Sequence, residues 1–221
     1  MSFSLESIGI KAGGKYETIY TTMNKEREMN AAPIGLKCID DYAVLARIFE
    51  GSKTLENIRE TGIFVVNITS DPSVFARSLY GNLEENEFVR DDDICYMKNA
   101  DAYFIALVKS IEDKEIGKDH VNDGAKFSII NAESIKIIIN KPGTKALNRG
   151  IFAFLESLVD FSRIDIIDDE KRNEYINRFK ENERVIDVVA EEDVKEAMKK
   201  EGIDSSFVKY SGGWCAINTV L

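Results

Sequence analysis

The hydrophobic rhythm of the chain changes once. Up to about residue 140, apolar residues alternate with polar ones or run in short blocks; beyond it they recur at three- and four-residue spacing. The stretch Glu17 to Asn67 organises the first part. Glu17 to Thr22 alternates and is rich in β-formers, which predicts a strand. Ala31 to Ile39 predicts a second, with Pro33 near its start, and Tyr42 to Phe49 a third after the Asp40-Asp41 turn. The nearly continuous run Gly62 to Ile68 predicts a fourth, of the length of a buried strand. Ala102 to Ile111 and Lys126 to Asn140 add two long strands, the second with a bend at Ala132-Glu133.

Between these, Asp71 to Tyr80 predicts a helix. Asp71 suits the N-cap, and Pro72 the first helical position, where a missing N–H costs nothing. Val74, Phe75, Ser78 and Leu79 form its inner face, and Asn67 is read as a cap for the same region. Met1 to Lys15 is a lead-in, an edge strand or a loop. Gly81 to Met97 reads as acidic and irregular, and Glu112 to Gly124 as a polar connector. After Lys141-Pro142-Gly143 the helical period takes over. Leu147, Ile151, Phe154, Leu155, Leu158 and Val159 mark one helix. Asp168 and Asp169 are candidate caps for a second, carrying Tyr175, Ile176 and Phe179. Glu191 to Lys200 marks a third, with Gly202 as its stop. The tail from Val208, which holds Trp214, fits helix or strand. The expectation is a mainly β body over 1–141 and a helical region of two or three helices plus tail over 142–221, α+β overall.

Composition narrows the chemistry. At 221 residues, 44% apolar and 31% charged, the chain can bury a sizeable core. Its net charge of −10 opposes nucleic acid and anionic membranes as partners of the whole surface. No apolar run reaches a membrane span and the N-terminus lacks a basic and apolar leader, so a cytoplasmic location is expected. Three scattered cysteines (Cys38, Cys95, Cys215) and a single His120 leave no zinc set and no disulfide framework; a triad hydrolase would rest on His120 alone.

Two stretches look chemical rather than architectural. One pairs TTMN (21–24) with NAAPIG (30–35), polar and small residues at adjacent strand ends. The other is GSKTLEN (51–57), a turn running into a helix. In order and spacing, together with GSKTLENIRETGIFVVNI, they resemble the FMN-binding split β-barrel superfamily of flavin reductases. The finer resemblance is to an uncharacterised, mostly archaeal branch of it. That branch has Asn-Ala-Ala-Pro-apolar-Gly after the first strand, Asp-Pro after the fourth, and a helical C-terminal region; here these are Asn30 to Gly35, Asp71-Pro72, and NRGIFAFLESLVDFSR from Asn148 to Arg163. The resemblance covers most of the chain. It implies a split β-barrel, bound FMN, and a homodimer with the flavin near the subunit interface.

The residues suit such a ligand. A dianionic phosphate wants N–H groups at a helix start, hydroxyls and a cation. Ser52, Lys53 and Thr54 offer all of these, with Arg47 on the preceding strand and Asn57 extending the site. A flat ring wants small residues so that backbone can approach, as Asn30, Ala31, Ala32 and Pro33 provide. Thr21, Thr22 and Asn24 can donate to ring carbonyls. Each feature also has a plainer reading. Gly-Ser-Lys-Thr lacks the P-loop frame and by itself is a solvated turn with an N-capping hydroxyl. Thr21 and Thr22 are good strand residues. Asp91 to Asp93 is a solvated acidic loop before it is a cation site. His120 reads as a surface residue, Cys38 and Cys95 as small buried groups, and Trp214 as core filling. Two functions are carried forward: an FMN-dependent oxidoreductase, in which the cofactor does the chemistry, and a non-catalytic flavin carrier, sensor or docking module. A relative of the pyridoxamine-phosphate oxidases is a third, weaker reading.

Overall fold

The computed structural model describes residues 4–115, 126–163 and 169–200. His120, Gly202, Trp214 and Cys215 lie outside them, as does Asp168. Two compact units divide between Leu147 and Asn148. The strand unit extends past Lys141 because Ala146 donates to the Ile8 carbonyl at 3.0 Å and Glu17 to that of Leu147 at 2.8 Å.

In the first unit, β1 (Lys15–Met23), β2 (Met29–Cys38), β3 (Ala43–Phe49), β4 (Ile63–Ile68), β7 (Ala102–Glu115) and β8 (Lys126–Ile139) close into an antiparallel barrel. Its order is β1-β2-β3-β8-β7-β4. Helix α1 (Lys53–Thr61) follows β3 and α2 (Pro72–Tyr80) follows β4. The hairpin β5 (Phe88–Asp91) with β6 (Ile94–Met97) lies outside the barrel sheet. The mainly β barrel with a helical C-terminal region is the expected fold.

Strand alternation sorts the core into two layers. Tyr16, Tyr20, Leu36, Phe64, Phe104 and Ile130 fill the barrel, joined by Leu55 and Ile58 of α1. Ile19, Met23, Ala31, Val65 and Tyr103 point the other way and meet Val74 of α2 and Cys95 and Met97 of the hairpin. β1 and β4 are thus buried on both faces; β4 (IFVVNI) runs nearly without polar interruption, while β1 buries Thr18, Thr21 and Thr22 among its apolar residues.

The hairpin occupies the stretch whose sequence reads as irregular. Buried Phe88, Cys95 and Met97 alternate with half-buried or exposed neighbours, but the acidic residues around them hide the period. Asp92 and Asp93 make its two-residue turn, Asp92 with φ of 49°. The polar segment after Ile111 continues β7 to Glu115. The expected bend in β8 is a pair of bulges around Ala132-Glu133, with Lys109 extra on β7 and Ile135 extra on β8. Asp71 caps α2, accepting from the Ser73 N–H at 2.8 Å.

The second unit holds α3 (Arg149–Arg163), α4 (Asp169–Val189) and α5 (Glu192–Lys200) around Ala153, Phe179, Ile186, Ala190 and Met198. Gly150 is required here, since a Cβ would come 2.4 Å from that of Ala190. Buried Asp160 accepts from Arg178 Nε at 2.7 Å. Among the described residues no helix is long and apolar enough to cross a membrane.

Candidate functional site

The barrel wall opens between β2 and β3. β2 pairs with β1 from Met23↔Met29 to Lys15↔Lys37, along nearly its whole length. With β3 it pairs only at Leu36↔Ala46, Lys37↔Leu45 and Cys38↔Val44. Beyond that point β3 runs on to Phe49 beside β8 while β2 departs, so the strands part at Gly35 and Arg47. Within the described residues no strand adds to the β2 edge from Met29 to Gly35.

Helix α1 starts beside this opening. Gly51, with φ of 80°, turns the chain out of β3 in a conformation that favours glycine. Ser52 is the N-cap: its Oγ accepts from the Leu55 N–H at 3.3 Å and donates to the Phe49 carbonyl at 3.0 Å. The N–H groups of Lys53 and Thr54 precede the first intrahelical bonds, and their partial positive charge faces outward along the helix axis. Lys53 is exposed, whereas Thr54, Leu55, Asn57 and Ile58 are buried.

Side-chain bonds join α1 to β1 and β2. Asn30 Nδ2 donates to Thr54 Oγ1 at 3.0 Å, and Asn57 Nδ2 donates to Thr22 Oγ1 at 3.0 Å. Asn30, Ala32 and Thr22 share the inward face of the β1–β2 pair, while Ala31, Pro33 and Gly35 face outward. On the free edge of β2, the Met29 carbonyl and the Ala31 N–H are bound by the side chain of Asn82. Antiparallel alternation places the backbone groups of Pro33 and Gly35 on the same edge. Pro33 has no N–H, so its carbonyl alone is offered there. A Cβ on Gly35 would meet nothing within 4 Å, so the surface beside it is open.

Thr22, Asn30, Ala32, Ser52, Lys53, Thr54 and Asn57 therefore lie at the β2–α1 junction, whereas the Ala31 and Pro33 side chains face the other side of β2 and only their backbone belongs to its edge. Three other candidates stand apart from it. Thr21 points to the opposite face, where its hydroxyl donates to the Cys95 carbonyl at 2.6 Å and accepts from Asn67 Nδ2 at 3.0 Å. Asn24 closes the β1–β2 turn with Glu28, whose N–H its Oδ1 accepts at 2.8 Å. The Arg47 guanidinium lies 3.8 Å from the Phe127 ring centroid and 5.3 Å from that of Phe49.

Arg59, in the last turn of α1, bonds Glu50 at 2.6 Å and Asp113 at 2.7 Å, and Ser128 bonds both carboxylates. Arg59 and Ser128 together hold the Glu50 and Asp113 carboxyls below the usual carboxylate range. Burial pushes the Cys38 thiol to about 11 and the Cys95 thiol to about 12, so neither is a nucleophile at neutral pH. The described residues hold no cluster of His, Cys, Asp and Glu able to bind a metal.

The sequence pattern of the DUF447 N-terminal domain, a protein family of unknown function, matches residues 16–133, and that of the DUF447 C-terminal region matches residues 148–200. The chain belongs to the DUF447 family. An uncharacterized protein of Methanocaldococcus jannaschii, MJ1453, is 31% identical over 166 residues, 73% of this chain and 82% of its own. The crystal structure of the FMN-bound DUF447 protein MM1853 from Methanosarcina mazei is 27% identical, with a TM-score of 0.51, over 88% of this chain and 96% of that one. A flavoredoxin from Methanosarcina acetivorans is similar at 15% identity and a TM-score of 0.45, over 57% of this chain and 73% of its own.

Two residues of this DUF447 chain matter although the sequence does not mark them as site residues. Asn67, read as a helix cap, is instead fully buried and ties three elements together: Nδ2 donates to the Ile19 carbonyl and to Thr21, and Oδ1 accepts from the Met97 N–H at 2.8 Å. An asparagine inside a buried apolar strand is the signal that marks it, since such a group persists only where its hydrogen bonds are met. Asn82 lies in a loop of mixed composition, and nothing local distinguishes it.

Proposed function

We propose that this DUF447 chain binds FMN at the β2–α1 junction and is a flavin-dependent oxidoreductase of the flavin-reductase kind. The parting of β2 from β3 beside the start of α1 carries the reading. It puts an unpaired strand edge, small side chains and a helix N-terminus within one opening. The FMN-bound relative from Methanosarcina mazei, similar over 88% of the chain, supports the choice of ligand.

The donor set fits the cofactor. The N–H groups of Lys53 and Thr54 and the Lys53 ammonium suit a phosphate dianion, while the Ser52 hydroxyl, bonded to the Phe49 carbonyl and the Leu55 N–H, fixes the start of the helix. Ala31, Ala32 and Pro33 let backbone approach a flat ring. The Pro33 carbonyl and the Gly35 amide match the alternating donors and acceptors of a flavin edge. Thr22, Asn30, Thr54 and Asn57 act beneath the ligand, fixing strand against helix. When bound, FMN supplies hydride or electron transfer, and the chain supplies orientation and hydrogen bonds that tune it. The same reading includes a homodimer with the flavin near the subunit interface, as the superfamily resemblance implies.

The test is to saturate the purified protein with FMN and expose it anaerobically to NADH, NADPH or a reduced deazaflavin. Bleaching of the visible flavin band by one donor, with turnover on an added acceptor, is the expected result. Stoichiometric FMN that no donor reduces would instead assign a carrier or sensor.

A further inference from the structure

We infer that Asn82 is a positioning residue for the flavin ring, its side-chain amide standing in for a missing strand on the β2 edge. This rests on the assignment of the flavin to the β2–α1 junction. A neighbouring strand residue would give an outward-facing residue pair of β2 one acceptor and one donor. Asn82 gives both. Its Oδ1 accepts from the Ala31 N–H at 2.9 Å, and its Nδ2 donates to the Met29 carbonyl at 2.9 Å. Oδ1 also accepts from the Leu83 N–H at 2.9 Å, which fixes the amide against its own backbone. The substitute ladder is one step long.

The rest of the β2 edge makes that length useful. The next outward residue, Pro33, has no N–H to satisfy, and β3 pairs only from Leu36. Asn82 at one end and β3 at the other thus frame an open edge from Ala31 to Gly35, about 13 Å at the rise of an antiparallel strand. Without a partner at Met29 and Ala31 the end of β2 would be free to shift toward another pairing. With Asn82 in place the edge is fixed while its central groups stay available to a ligand.

The loop that carries Asn82 is itself braced. Leu83 is buried in the outer core layer. Arg77, on α2, forms a two-pronged ion pair with Glu87 at 2.6 and 2.8 Å, bracketing residues 81–84 from both sides. The Glu87 carboxylate also accepts from the Glu84 N–H at 2.9 Å. Asn82 is therefore held by α2 and by the short turn Glu85–Glu87 that precedes the hairpin, elements that the flavin need not touch.

The test compares wild type with Asn82→Ala and Asn82→Asp, flavin-free and FMN-loaded. Asn82→Asp keeps both acceptor contacts and loses donation to Met29. The expected result is FMN binding about tenfold weaker in Asn82→Ala and an intermediate loss in Asn82→Asp. The absorption bands and reduction potential of the residual bound flavin should shift in both. The flavin-free unfolding midpoint should fall in Asn82→Ala, because the part-buried N–H groups of Ala31 and Leu83 lose their acceptor. A purely structural role would lower that midpoint and leave the spectrum and potential of the bound flavin as in wild type, which overturns the inference. So would affinities within twofold of wild type. If wild type itself takes up no FMN, the flavin reading falls, and the role of Asn82 with it.

Discussion

The side-chain amide of Asn30 donates to the hydroxyl of Thr54 across 3.0 Å, tying the Asn-Ala-Ala-Pro strand to the first turn of α1. The two residues belong to the two stretches that look chemical in the sequence, and the bond brings those stretches together. Thr54 is buried, so its role is to hold helix against strand as much as to meet a ligand. Thr54→Val keeps the shape and removes the acceptor. It should cost about 1–2 kcal/mol in urea unfolding, as for a part-buried donor left unpaired. FMN affinity should fall about tenfold, corresponding to roughly 1.4 kcal/mol. Unchanged affinity would separate the bond from the site.

Asn67 supports the site from the far side of the sheet. It binds β1 at Ile19 and Thr21 and β6 at Met97, all in the buried outer layer. Asn67→Leu should destabilise the protein by about 3 kcal/mol, since several buried groups lose partners together. The amide of Met97 should then exchange with solvent much faster. A slow Met97 amide in the variant would show that the hairpin is held without Asn67.

Tyr20 is the converse case. Its ring stacks on Phe64 with centroids 4.9 Å apart, its hydroxyl is buried without a hydrogen-bond partner, and burial drives its pKa far up. Removing the hydroxyl should therefore help: Tyr20→Phe is expected to gain about 1 kcal/mol. For a chain of this size that is a rise of about 2–4 °C in thermal midpoint. A fall in midpoint would mean that the hydroxyl has a partner in solution.

Much of the barrel can be read from alternation alone, because most of its strands bury one face or both. The β5–β6 hairpin cannot. Its inward residues Phe88, Cys95 and Met97 are spaced by Arg90 and the Asp91 to Asp93 run, so charge density masks the period. The proposed site rests on contiguous motifs, Asn30 to Pro33 and Ser52 to Thr54, which the sequence displays directly. Thr21 and Thr22 read as equals in the sequence, yet strand alternation turns one toward α1 and the other toward Cys95. Arg47 reads as a phosphate ligand by its position in the chain; its guanidinium packs on Phe127. Asn82 meets β2 across 51 residues of sequence, and no local pattern encodes a contact at that distance.

Placement of the FMN phosphate at the start of α1 can be measured by titrating flavin-free protein with FMN and with riboflavin. The two ligands share the ring and polyol and differ in the phosphate. Charge-assisted hydrogen bonds from Lys53 and the helix start should favour FMN by about a hundredfold, roughly 3 kcal/mol. Lys53→Ala should remove about tenfold of that preference and leave riboflavin binding as it was. Equal affinity for the two flavins, or no uptake of either, would contradict the account.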